Sequence, residues 1–332
     1  WRGADAASQQ EAYHDPYRAT NPDIKILNHD TSNEAVAKLR AQAEANQVTW
    51  DLVDVVASDA TRRCDEGLAL EIDHDKALAP APDGTPASKD FGDLIVSPCF
   101  IPQIVYSTTF GYRTDKVKEK PTSVCAVFDL EKFPGKRALE KRPINNMEWA
   151  LICDGVDAKD VYDVLDTKEG RDRAFKKLDT IKDQVVWWSK GAQTPQLLAD
   201  GEVVMGSTYN GRLFSLIEEK KAPVAMLWDW QVFDLDGWIV PKGTKNLDEV
   251  MEYLRFATDT QRLADQAKYI SYGPARQSSA PLVGKHATLG IDMKPHMPTS
   301  PENAKTKLLY NYEWWADNRD DLDQQFQAWL VK

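Results

Sequence analysis

The 332-residue chain has no apolar stretch long enough to cross a bilayer as a helix, so a membrane-spanning protein is not expected. It has few histidines: His14, His29, His74, His286 and His296 are scattered and sit at no metal-ligand spacing from a cysteine. The four cysteines form no Cys-x-x-Cys pair, and no adjacent tyrosine pair stands ready for ferric ion. Neither a metal nor a cofactor is expected. Also missing are Gly-x-Ser-x-Gly, His-Glu-x-x-His and a phosphate-cradling glycine loop, so no catalytic machinery is legible. There is no basic excess: 41 Lys and Arg face 52 Asp and Glu, a net charge of −11. Nucleic-acid binding needs clustered cations and is therefore disfavoured, whereas a cationic ligand is compatible. The sequence opens at Trp1 with no charged segment followed by an apolar one. A signal peptide either never existed or was removed before the numbering begins.

The content is ordinary for a globular chain, with 42% hydrophobic and 28% charged residues, but it carries 11 tryptophans. At this length two domains are the expectation. Short apolar strands alternate with amphipathic helices, the signature of an α/β layer fold. Strands are expected at 24–28, 51–56, 101–107, 137–139, 185–188, 203–207, 222–228 and 233–240. Helices are expected at 6–19, 32–45 with Ser32 as N-cap, 59–66, 145–153, 168–182, 194–199 and 210–219, then at 246–257, 259–268, 278–284, 300–308 and 316–330. Residues 79–90, rich in Pro, Ala and Gly, read as a surface loop. A chain that builds one lobe, crosses to a second and returns fits this order. The crossings are expected at 106–110 and 228–233. Lobe one is then 1–107 with 233–332, and lobe two is 108–232; the C-terminal helices also have reach to lobe two. A cleft between two lobes is a preferred ligand site. Four cysteines permit disulfides in an oxidising compartment or four buried thiols elsewhere.

An ordered series of short motifs sharpens this. Asp51-Leu52-Val53-Asp54-Val55 precedes Cys64-Asp65-Glu66-Gly67-Leu68, and Phe133-Pro134-Gly135-Lys136-Arg137 follows. Leu198-Ala199-Asp200-Gly201-Glu202 comes next, then Tyr209-Asn210-Gly211-Arg212. Asp236-Gly237-Trp238-Ile239-Val240-Pro241-Lys242 closes the series. In this order, over nearly the whole chain, they resemble the polyamine-type (spermidine/putrescine) periplasmic solute-binding proteins of ABC importers. The resemblance implies a type II periplasmic binding fold, two α/β lobes closing by a hinge. It also implies an exported, periplasmic, monomeric protein that hands its solute to permease subunits. One departure is visible: the family's first strand and Trp-Gly-Gly motif are replaced by an opening Trp1-Arg2-Gly3.

Ammonium ligands call for carboxylates to pair with them and aromatic faces to cover them. The resemblance places Asp236 on an amine, and Glu148, Tyr209, Trp1 and Trp315 against the ligand. Asp229 and Asp234 flank the same crossing as Asp236. Trp188, Ser58 and Asp59 end strands, where open α/β sheets bind ligands. An Asp before Gly-Trp also serves a turn, a Glu in a first helical turn also serves the helix dipole, and a lone Trp also serves a core. Arg212 divides the ligand classes. Directed at the ligand, it suits the carboxylate of an ω-amino acid such as 4-aminobutyrate. Paired with Asp229 or Glu218, it leaves an anionic pocket fit for putrescine or spermidine. Asp234 stands where polyamine binders often carry Trp. Cys64 and Cys99 match positions that carry a disulfide in some members, and the joint appearance of Cys125 and Cys153 suggests a second bridge. A sensor presenting the ligand to a receptor, or an enzyme on the same fold, are the alternative readings.

Overall fold

The computed structural model describes residues 4–29 and 35–332. The Ser32 cap and the Trp1 position lie outside the described residues. The chain divides into two compact units. The first holds Trp1–Val105 and Asp234–Met297, and the second holds Tyr106–Phe233 and Pro298–Lys332.

Two long strands run through the points where the chain changes unit: β2 (Ile101–Arg113) and β6 (Val224–Ile239). β2 is rich in β-branched and aromatic residues and is buried at every position, as a strand covered on both faces must be. The sequence reading splits β6 into 222–228 and 233–240 because Trp228-Asp229-Trp230-Gln231 interrupts the apolar pattern. The strand is instead continuous. The irregularity is absorbed at Trp230, a left-handed residue with φ of 50°. Its N–H donates to Thr306 Oγ1, and its carbonyl accepts from Trp149 Nε1, so tertiary partners hold a backbone conformation that is costly for a bulky residue.

In the first unit, β1 (Val53–Val56) pairs antiparallel with the end of β6, with Val56 opposite Asp236. The short β7 (Gly273–Pro274) pairs with the start of β2. Helices Leu247–Ala257 and Thr260–Gln266 and the N-terminal helical turns cover this sheet. Their core gathers Tyr13, Tyr17, Phe91, Trp238, Tyr253 and Leu254. Residues 24–28, expected as a strand, form no ladder.

In the second unit, β5 (Met205–Tyr209) pairs antiparallel with β2 and parallel with β3 (Arg137–Glu140). β3 pairs parallel with β4 (Val185–Trp188), with Glu140 opposite Trp188. Gly111 and Gly206 face each other across β2 and β5. A Cβ on Gly111 would lie 2.6 Å from Leu213 Cδ2, and one on Gly206 would lie 2.6 Å from the Thr194 methyl. Helices Gln193–Asp200 and Asn210–Phe214 can therefore settle close on the sheet only because these positions lack side chains.

The C-terminal segment differs most from expectation. Residues 300–308 are turns followed by β8 (Lys307–Leu309), which pairs with β6, rather than a helix. Gln231 Nε2 donates to the carbonyls of Pro298 and Asn303, so these groups are satisfied by a strand side chain instead of a helical ladder. Helix Tyr312–Leu330 packs Phe326 and Trp329 on Trp187 and Phe175. Lys182 Nζ donates to the Trp329 carbonyl. These contacts go with the grouping of 298–332 in the second unit, a segment the sequence reading assigns to lobe one with its helices reaching lobe two.

Cys64 joins Cys99 in the first unit and Cys125 joins Cys153 in the second, with Cα separations of 5.7 and 5.2 Å. They close loops of 35 and 28 residues, each expected to contribute about 3–4 kcal/mol by restricting the unfolded chain. Cys125→Ser/Cys153→Ser should lower the urea midpoint and abolish part of its sensitivity to dithiothreitol. A midpoint unmoved by full reduction, with free thiols verified by titration, would contradict this.

Candidate functional site

β3, β4 and β5 are parallel, so their carboxyl ends point the same way and bring Glu140, Trp188 and Tyr209 to one edge of the second unit. Such edges are the ligand-binding ends of α/β sheets. Tyr209 also starts a helix, Asn210–Phe214. Asn210 Oδ1 fixes that junction by accepting from the Ser107 N–H of β2. The Tyr209 ring meets Tyr106 edge-on at 5.7 Å, and the Arg212 guanidinium stands 5.9 Å from its centroid. Gly191 presses against both: a Cβ there would lie 3.0 Å from Arg212 Nε and from Tyr209 Cε2. The Gly191 carbonyl is tied down by Thr208 Oγ1.

Arg212 forms an ion pair with no acid among the described residues. The two acids proposed for it are engaged elsewhere. Glu218 pairs with Lys221 at 3.2 Å. Asp229 accepts from the Val124 N–H at 2.9 Å through one oxygen and from Thr306 Oγ1 at 2.8 Å through the other. Asp229 thus clamps two loops of its own unit.

In the first unit, β1 leads directly into helix Ala57–Asp65, whose first turn carries half-buried Ser58 and Asp59. Asp236 lies on β6 opposite Val56, the last residue of β1, so these groups gather at one end of this sheet. Asp234 shares a strand face with Asp236 by period-two alternation and accepts from the Leu235 N–H. Asp236 is only 2% exposed.

A profile of bacterial extracellular solute-binding proteins matches residues 12–299. The chain belongs to this family. It is 34% identical over 330 residues to the gamma-aminobutyric acid-binding protein of Pseudomonas aeruginosa, covering 99% of this chain and 89% of that relative. Among solved structures, the Atu4243–GABA receptor is 32% identical with a TM-score of 0.83, over 100% of this chain and 96% of that one. An ABC transporter substrate-binding protein from Bradyrhizobium japonicum is 29% identical with a TM-score of 0.83, over 99% and 97%. The two-lobed periplasmic binding fold expected from the motif series is the fold of these neighbours. No helix among the described residues is long and apolar enough to cross a membrane.

Two expected ligand residues of this solute-binding protein meet each other. Trp315 Nε1 donates to Glu148 Oε1 at 2.8 Å, and both are fully buried. The Tyr162 hydroxyl donates to the same oxygen at 3.2 Å and accepts from the Asn311 N–H. The network pins the start of helix Tyr312–Leu330 to helix Asn146–Ile152. Trp188 is likewise core, packed with Ala138, Leu198 and Leu213. An acid in a first helical turn looks the same in sequence whether it faces solvent or an indole, so the contact of Glu148 with Trp315 is not legible there.

Other charged groups went unread. Glu140 and Arg142 form an ion pair of 2.7 Å directly beyond β3. Burial alone would depress the Arg142 guanidinium, but the Glu140 charge and the Tyr209 and Tyr106 phenols outweigh it and hold it charged. The signal was the charged run Glu140-Lys141-Arg142 closing an apolar strand. In the first unit, Gln9 Nε2 bridges the carboxylates of Asp5 and Asp54. Burial, then the Asp54 charge, pushes Asp5 up to about 7.

Burial also pushes Glu148 up from 4.5 to about 7, with the hydrogen bonds from its own and Asn145's backbone, Trp315 and Tyr162 only partly opposing. The folded state therefore holds this proton more tightly than the unfolded chain. Its contribution is complete below pH 4.5 and is lost as pH rises through about 7, a span on the order of 3 kcal/mol. Glu148→Gln keeps the acceptor for Trp315 without the charge. It should match the parent near pH 4.5, exceed it at pH 8, and flatten the pH slope of stability, leaving the slope due to Asp5. Denaturant melts across this range check it; equal slopes in both proteins would contradict it.

Proposed function

We propose that this solute-binding protein takes an ω-amino acid of the gamma-aminobutyric acid class, with Arg212 receiving the carboxylate. The observation that carries this reading is the guanidinium of Arg212, laid on Tyr209 with no acidic partner among the described residues. Arginine's planar fork is suited to a carboxylate, and an aromatic face beneath it fixes its plane. A diamine would bring an ammonium to this cation and be repelled. The relatives named for gamma-aminobutyric acid, at 34% and 32% identity over nearly the whole chain, support the same class. Asp236, with Asp234 beside it, is the proposed partner of the ammonium group. Tyr209 supplies an aromatic wall, and Ser58 and Asp59 supply polar contacts.

The role proposed is periplasmic capture and delivery to the permease of an ABC importer by a monomeric protein, without turnover of the solute. Delivery draws its support from the family and from the Bradyrhizobium relative.

Calorimetry with 4-aminobutyrate tests the reading. Arg212→Ala should weaken binding by about 1.5–3 kcal/mol, and Asp236→Asn by a similar amount, the range for hydrogen bonds to charged groups. Arg212→Lys should recover part of the loss. An Arg212→Ala protein that binds 4-aminobutyrate as tightly as the parent would remove Arg212 from the site. Ligand recovered chemically changed after incubation would point to an enzyme.

A further inference from the structure

The second unit carries a further guanidinium at the same strand ends, on a residue that neither the motif series nor the relatives single out. Arg142 lies two residues beyond the last residue of β3. Its Nε faces Glu140 Oε2 at 2.7 Å, and the side chain is still 30% exposed, so part of the fork is open to solute. Among the described residues its guanidinium donates no hydrogen bond, and its contact with Glu140 is that of an ion pair. The backbone around it is firmly held: Asn146 Nδ2 donates to the carbonyls of both Glu140 and Arg142, and the Lys141 N–H donates to the Trp188 carbonyl. The neighbouring charges are few. Arg319 and Asp323 of helix Tyr312–Leu330 act on Glu140, and Asp323 with the Tyr209 and Tyr106 phenols acts on Arg142. Tyr209 is thus shared, with Arg212 over its ring and Arg142 within electrostatic reach of its hydroxyl.

We infer that Arg142, held by Glu140 at the carboxyl end of β3, is a second carboxylate-binding residue of the site and sets its selectivity, admitting the anionic end of an ω-amino acid and excluding the second ammonium of a diamine. This rests on the ω-amino acid reading above. The chemistry follows from what each side chain lacks. Glu140 sets its charge against one edge of the guanidinium, and no acceptor among the described residues takes its N–H groups, which leaves them to water or a solute oxygen. A partly desolvated guanidinium gains more from a carboxylate than from water, because charge-assisted bonds strengthen as water is excluded. An ammonium brought to the same place meets the Arg142 guanidinium, offset at contact distance by Glu140 and more weakly by Asp323. A purely structural ion pair would need no open edge, and its loss would change stability without changing which solute is preferred.

The test is calorimetry on the full chain at pH 7.5 with 4-aminobutyrate and putrescine, using the parent, Arg142→Met, Arg142→Lys and Glu140→Gln, alongside thermal melts. Arg142→Met should weaken 4-aminobutyrate by about tenfold or more and lower its preference over putrescine by at least that factor. Arg142→Lys, which keeps the charge and loses the fork, should weaken 4-aminobutyrate to a smaller extent and still exclude putrescine. Glu140→Gln, which removes the negative charge in contact with Arg142, should widen the preference. A preference unchanged within about threefold in Arg142→Met, whatever the melting temperature does, would overturn the inference and leave a structural pair. Should Arg142→Met fail to fold, an unchanged preference in both Arg142→Lys and Glu140→Gln would overturn it equally. A parent protein that binds no 4-aminobutyrate would instead defeat the ω-amino acid reading itself, and this inference with it.

Discussion

Arg212 lies against the face of Tyr209, and its charge is answered by no acid of the protein's own described residues. A guanidinium is never deprotonated under physiological conditions, so this charge must be met by water or by a solute. Much of the second unit can be understood as holding that arrangement still. Gly191 leaves room for the ring and the guanidinium together, Thr208 ties down the Gly191 carbonyl, and Asn210 locks the turn between β5 and its helix to β2. The two acids considered from sequence as partners of Arg212 have other duties. Asp229 caps a loop and holds Thr306, and Glu218 pairs with Lys221.

Beneath the site the requirement is close packing. The facing glycines of β2 and β5 let two helices approach the sheet, and one of those helices starts at the Tyr209 junction. The C-terminal segment completes this unit from the far end of the sequence. Its β8 joins β6, its indoles cover Trp187, and Trp315 reaches the buried Glu148. Burial there disfavours the charged form of this carboxyl, with the Trp315 hydrogen bond opposing only in part, which links the packing of the C-terminal helix to pH near neutrality.

Local pattern carried some of this and tertiary structure hid the rest. The parallel strands of the second unit and the Tyr209-to-Arg212 turn are legible because apolar runs end abruptly in polar residues. The two cysteine pairings match the bridges of the structure, each closed within one unit. The continuity of β6 is not legible, because Asp229 and Gln231 interrupt the apolar pattern while their side chains serve distant loops. Nor is the fate of 300–308, where the Asn303 carbonyl is satisfied by the distant Gln231 side chain. Trp315 and Glu148 are matched individually as ligand contacts, yet their mutual hydrogen bond depends on residues 167 positions apart. Arg142 is overlooked because a charged run after a strand resembles any solvated loop until its neighbours Tyr106 and Tyr209 are known.

The proposed solute is anionic at one end and cationic at the other. Four molecules of similar chain length separate the two ends: butyrate, butylamine, putrescine and 4-aminobutyrate. Calorimetric titration of the parent protein with each should give tight binding of 4-aminobutyrate alone, with putrescine at least about a hundredfold weaker, since it presents an ammonium where a carboxylate is required. Putrescine binding as tightly as 4-aminobutyrate, or more tightly, would contradict the account.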